Sequence, residues 1–205
     1  MPTDLFYRLS PAKRERITEA IKAEVTRVPY EDFSIYNVVQ QSGISRGSFY
    51  QYFTNKEDIS LYLLSEYNRK IIQKFIESLQ AHNGDYFTGL EEAFRFSVRM
   101  FCYKGSRTYR EHLFCNVEFY ERIWRDNDFS AEKHPVLRQA LNLIHYENLI
   151  VNNEEELRAF IKICMSLVAR ECITLIMTNA PEETACESFM EKLNLLKRAF
   201  QKENQ

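Results

Sequence analysis

The stretch Gly43–Glu57, GISRGSFYQYFTNKE, decides how this chain is read. It sets four aromatic residues, Phe49, Tyr50, Tyr52 and Phe53, beside Arg46 and Lys56, directly after a glycine turn, and it holds no acid before Glu57. Just upstream, Ser34 can cap a short helix whose Ile35, Val38 and Val39 point inward, and Gly43 is placed to end that helix in a left-handed conformation. Ser45 then caps another helix over about 46–52. Two short helices joined by about three residues around a glycine make a helix-turn-helix.

The second helix of such a pair enters the DNA major groove and needs two kinds of residue. Ile44, Phe49 and Phe53 are the apolar ones that lock it to its scaffold. Arg46, Ser48, Tyr50, Gln51 and Tyr52 are donors for base edges and phosphates, joined by Lys56 at the start of the next helix, whose backbone N–H groups can also hold a phosphate. Gly47 removes a side chain where a backbone must approach closely. The absence of acid over residues 33–56 fits a polyanionic partner. The bland alternative is a helical pair that merely packs. Against it stand the aromatic density and the unbalanced Arg46 and Lys56.

Working outward, the chain is helical almost throughout. Ser10-Pro11 opens a first helix that buries Ile17, Ala20, Ile21 and Val25 on one face, and Pro29 closes it. A long helix is expected over about 55–79, striped by Ile59, Leu63, Tyr67, Ile71, Phe75 and Leu79. At 1.5 Å per residue it would run about 37 Å, long enough to join two units. HNGDYF at 82–87 breaks it. Further helices are expected over about 88–104, 106–124, 135–149, 154–178 and 182–201, with Glu154, Glu155 and Glu156 favoured by the dipole of a first turn. The fold class is therefore all-α, with a helix-turn-helix domain at 1–54 and a larger helical domain at 55–205.

Composition narrows the function. The chain has 205 residues, 45% hydrophobic and 14% aromatic, enough for a sizeable core, with a net charge of −2, so a nucleic-acid site must be a local patch. Five cysteines at no paired spacing disfavour a disulfide framework or a zinc site and fit a reducing cytoplasm. No secretory h-region or membrane-length apolar run is present; the longest, around 161–175, is interrupted by Arg170 and Glu171. No Ser/His/Asp order, Gly-rich phosphate loop or HExxH argues for an enzyme. No metal motif is present and no cofactor is required; a spatial pair among His82, His112, His134 and His145 could ligate haem, against the simpler reading of surface or satisfied histidines.

The segment FSIYNVVQQSGISRGSFYQYFTNKEDI, 33–59, resembles the DNA-binding segment of TetR-type transcriptional regulators. Gly43, Ile44, Ser45, Gly47, Tyr50, Phe53, Lys56 and Glu57 match that pattern, and the likeness covers roughly residues 10–65. It departs at Val39 and Ser42, where the family usually carries Ala. The resemblance implies that Arg46, Gly47, Ser48 and Gln51 face bases, that Tyr50, Tyr52 and Lys56 meet phosphates, and that Ser34 with Thr26 or Arg27 adds backbone contacts.

The same resemblance implies a dimer interface and a ligand pocket in the remaining helices. Ile161, Met165, Val168 and Cys172 on one helix, with Phe189, Leu193, Leu196 and Phe200 on the last, form apolar faces suited to a four-helix contact between two chains. Aromatics cluster between 94 and 124, either as core or as the wall of a cavity for an apolar, flat ligand. Tyr67, Phe101, Phe119, Trp124, Leu167, Arg170, Glu171 and Thr174 are the candidate lining residues. Expected partners are double-stranded operator DNA, a second copy of the chain and a small molecule, and the expected role is a repressor released by its effector. An adaptor that binds DNA and senses nothing is the rival.

Overall fold

The computed structural model describes residues 1–102, 107–113 and 135–202. These form α1 (Asp4–Tyr7), α2 (Pro11–Arg27), α3 (Ile35–Ser42), α4 (Arg46–Tyr52), α5 (Lys56–Ala81), α6 (Tyr86–Cys102), α7 (Arg107–Leu113), α8 (Pro135–Leu141), α9 (Glu154–Thr178) and α10 (Glu182–Phe200). The all-helical class is as expected. The rest of the helix expected over 106–124, with Phe119 and Trp124, and His134 lie outside the described residues. No helix among the described residues is long and apolar enough to cross a membrane.

The chain divides into two compact units, one comprising 1–68 with 104–116 and the other 69–103 with 117–205. The first is thus wider than 1–54: it includes the start of α5 and takes in α7. In it, several helix boundaries follow from local chemistry. Pro11 sits at the start of α2, where its missing N–H costs nothing. Val28 turns extended before Pro29, as steric clash with the proline ring demands. Ser34 and Ser45 stand at the N-caps of α3 and α4, their hydroxyl oxygens accepting from Asn37 N at 3.5 Å and Ser48 N at 3.0 Å. Gly43 ends α3 at φ 64°, a conformation other residues adopt at a cost. Two side chains cap the start of α5: Asp58 N–H donates to Asn55 Oδ1 at 2.9 Å, and Thr54 N–H donates to Asp58 Oδ2 at 2.8 Å.

These helices enclose a core of Phe6, Ile17, Ile21, Val38, Phe49 and Phe53, all fully buried. Phe49 and Phe53 stack at 5.3 Å between centroids, and Phe6 lies 5.0 Å from Phe53. Helix α1, which carries Phe6, has no periodicity long enough to show in the sequence. Helix α7 is fastened to α2 by a hydrogen bond between His112 Nδ1 and the Val25 carbonyl at 2.8 Å.

In the second unit, Phe94 of α6 and Phe189 of α10 stack at 3.8 Å. Gly89 lets α5 and α6 approach, since a Cβ there would stand 2.9 Å from the Phe75 ring. Asn153 caps α9, and the Glu156 carboxylate returns to the Asn152 N–H at 2.8 Å. The helix expected over 135–149 stops at Leu141. His145 N–H donates instead to the Gly84 carbonyl, and Ile150 N–H to Phe200 O at 2.6 Å, so tertiary partners outbid the helical ladder.

Candidate nucleic-acid interface

Helix α4 is short, and its spacing separates two faces. Phe49, Tyr52 and Phe53 fall on the inner one and are buried. Arg46, Gly47, Tyr50 and Gln51, at i, i+1, i+4 and i+5, fall on the outer one and are exposed, with Ser48 half-buried at the edge. Arg46 leans along this face: its Nη2 is 3.5 Å from Tyr50 Oη and its guanidinium 5.8 Å from the Tyr50 ring centroid. That contact keeps the cation near the surface without neutralising it. Around Gly47 a Cβ would meet only Ser45 Oγ, at 3.8 Å, so nothing in the protein itself demands a glycine there.

Tyr52 departs from the expectation of an outward phosphate contact. It is 4% exposed, tilted against Phe6 at 6.1 Å, because it lies two positions from Tyr50 and so on the opposite side of α4. Arg27 is also engaged: its Nε and Nη2 donate to the buried carboxylate of Glu24 at 2.8 and 2.7 Å. Thr26 is exposed and donates to the Lys22 carbonyl. Lys56 is half-buried, its Nζ donating to the Glu31 carbonyl at 3.2 Å, which leaves its charge without a carboxylate in that contact. Ser34 is half-buried. One exposed residue escaped the sequence reading: Tyr36, 66% exposed on α3. Its signal was present, since Ile35, Val38 and Val39 facing inward turn position 36 outward.

Of the residues chosen for a ligand pocket, Phe119 and Trp124 lie outside the described residues. Glu171 is buried and already paired, its carboxylate accepting from Lys192 Nζ at 2.5 Å and Ser188 Oγ at 2.9 Å. Its neighbour Arg170 and Thr174 are exposed, Leu167 is half-buried and Phe101 buried. Tyr67, half-buried, belongs to the first unit. Of the interface candidates, Phe189 and Leu193 are buried within their own unit, since the 3.8 Å stack on Phe94 occupies that side of α10. Ile161, Met165, Val168, Cys172, Leu196 and Phe200 are half-buried. The large apolar residues exposed on α9 and α10 are Ile163, Met177 and Leu195. Of the histidines, His82 contacts Glu92 and His112 the Val25 carbonyl. Among the described residues no group of three or more His, Cys, Asp or Glu could hold a metal.

Burial pushes the thiol of Cys164 up to about 11 and that of Cys172 up to about 12, so both are held as neutral thiols.

Comparison with known proteins bears on this geometry. Residues 17–63 match the profile of the tetR family of bacterial regulatory proteins, and residues 85–199 match the tetracyclin repressor-like C-terminal domain. An uncharacterized HTH-type transcriptional regulator of Bacillus subtilis, YdgC, is 31% identical over 71 residues. That alignment takes in 35% of this chain and spans about a third of that curated relative's length, 36%. Among solved structures, SmeT of Stenotrophomonas maltophilia, the repressor of the multidrug efflux pump SmeDEF, superposes with a TM-score of 0.59 at 15% identity, over 97% of this chain and 94% of SmeT. CifR, a TetR family regulator solved with double-strand operator DNA, superposes at 0.51 with 15% identity, over 91% of this chain and 98% of that one. With the amino-terminal profile lying across the helix-turn-helix and the second covering more than half of its length, the chain belongs to the TetR family of bacterial regulatory proteins and is a DNA-binding transcriptional regulator.

Proposed function

We propose that the protein acts in the cytoplasm as a dimeric, ligand-responsive repressor, gripping a palindromic operator through α4 of each protomer and leaving it when a small apolar or aromatic effector binds. The observation that carries this reading is the outer face of α4, where Arg46, Gly47, Tyr50 and Gln51 stand exposed in a segment without acid. Arg46 is the guanine reader by chemistry, since a guanidinium matches O6 and N7 together. Tyr50 and Lys56 serve phosphates. Pairing of two chains is supported by the uncovered Ile163, Met177 and Leu195, apolar groups that a second copy would remove from water. For an aromatic effector the support comes from SmeT, which has been solved in complex with triclosan.

Selection of bound sequences from random duplex DNA, followed by sedimentation of the complex, tests the reading. An inverted repeat occupied by two protomers is expected, with half-sites about 34–36 Å apart or a multiple of that. A site without dyad symmetry, held by one protomer, would overturn it. Adding triclosan and related planar compounds to the complex tests effector release.

A further inference from the structure

The end of a helix leaves its last carbonyls without intrahelical partners, and in a helix as short as α4 these are more than half of the total. Phe49 O receives the Phe53 N–H at 2.9 Å. Of the carbonyls beyond the helical ladder, Gln51 O and Tyr52 O are both taken by one residue far away in sequence. Thr3 Oγ1 donates to Gln51 O at 2.7 Å, and Thr3 N–H donates to Tyr52 O at 2.9 Å. Thr3 occupies the N-cap position of α1, where a threonine hydroxyl ordinarily accepts from its own helix, yet here it makes no such bond. The hydroxyl has been diverted to α4. Three residues on, Phe6 is fully buried against Tyr52, Phe53 and Tyr62, at 6.1, 5.0 and 5.1 Å, so Thr3 is held on a fixed anchor.

We infer that Thr3, anchored by Phe6, is a positioning residue for DNA reading: it closes the C-terminal turn of α4 from outside and so pre-orders Tyr50 and Gln51 for the operator. The inference rests on the proposed contact of the outer face of α4 with DNA. A frayed last turn would still fold with the unit, because Phe49 and Phe53 hold the inner face. It would then have to order on binding, and that cost falls on affinity for the correct sequence. Non-specific binding, carried by phosphate contacts, does not need Gln51 in register.

The test compares Thr3→Val, which keeps the shape and the backbone bond but loses the hydroxyl, with Thr3→Ser, which restores the donor. Thr3→Val is expected to lower operator affinity about fivefold, the scale of one net hydrogen bond. Non-specific affinity should stay as in the wild type, melting temperature should fall only slightly, and Thr3→Ser should recover the loss. Amide exchange should speed up at Tyr50–Phe53 in Thr3→Val and nowhere else in the first unit. An unchanged ratio of operator to non-specific affinity in Thr3→Val would overturn the inference. So would a Thr3 amide in the wild-type protein that exchanges as fast as an unstructured one, a measurement that needs no variant to fold. Arg46→Ala serves as the parallel arm: if it leaves operator binding intact, the contact of α4 with DNA fails, whereas loss with Arg46→Ala but not with Thr3→Val defeats only the role of Thr3.

Discussion

The backbone N–H of Ser34 donates to Glu24 Oε1 at 3.0 Å, so a carboxylate on α2 closes the start of α3 from across the intervening turn. Glu24 is fully buried. It is tolerated there because Arg27 and the Asn37 side chain, at 3.2 Å, complete its hydrogen bonding. Arg27 first, then Ser34 and Asn37, hold this carboxyl below its ordinary range against the opposing effect of burial. Since Arg27 is half-exposed, solvent screens part of that pair. The cluster joins α2 to the helix-turn-helix.

Replacing Glu24 by Gln should therefore destabilise the protein by about 1–3 kcal/mol at neutral pH, because charged hydrogen bonds are lost in a buried place. A depressed carboxyl contributes stability above its unfolded value of about 4.3 and loses it as pH falls through the folded value. The gap between wild type and Glu24→Gln should narrow on acidification from pH about 5 downward. Urea titrations across that range decide the matter; a gap independent of pH would show that Glu24 is not acting as a carboxylate.

Gly47→Ala separates folding from reading. With open space around a Cβ at this position, the free protein should gain up to about 1 kcal/mol from helix propensity. Operator affinity should drop at least about tenfold, as a methyl group intrudes where the backbone meets DNA. Thermal melting and operator titration of one preparation give both readings, and equal affinity would place Gly47 away from the contact.

Arg46→Ala and Lys56→Ala should differ in kind. The first is expected to cost about 1–3 kcal/mol on the specific operator and to relax preference at one base per half-site. The second should weaken all duplexes alike and reduce the slope of log affinity against log salt by about one. Titrations of operator and scrambled DNA at several salt concentrations distinguish them. A loss at Lys56 confined to one sequence would reverse the assignment.

Burial divides the carboxy-terminal helices in the same way. Phe189→Ala should cost about 3–5 kcal/mol, since the cavity would lie against Phe94 inside the unit. Ile163→Glu together with Met177→Glu should leave folding intact and drive the protein to monomers, as seen by sedimentation. If Phe189→Ala instead dissociated a fully stable protein, its place would be between chains.

What the sequence determined by itself was the local syntax of the DNA-binding segment. Ser34, Gly43 and Ser45 act within a few residues of themselves, through caps and a left-handed turn, and such effects are written in adjacent letters. The same holds for the start of α2 at Pro11 and for the acidic first turn of α9. The tertiary structure decided everything that depends on which surfaces are already covered. Tyr50 and Tyr52 are chemically alike, but Phe6 covers only the second. Phe189 and Leu193 share an apolar pattern with an interface, yet the pattern does not say whether Phe94 or a second chain lies opposite. The break at Leu141, the role of Thr3 and the closure of α3 by Glu24 were equally hidden, because each is a hydrogen bond between residues distant in sequence, and periodicity carries no information about partners of that kind.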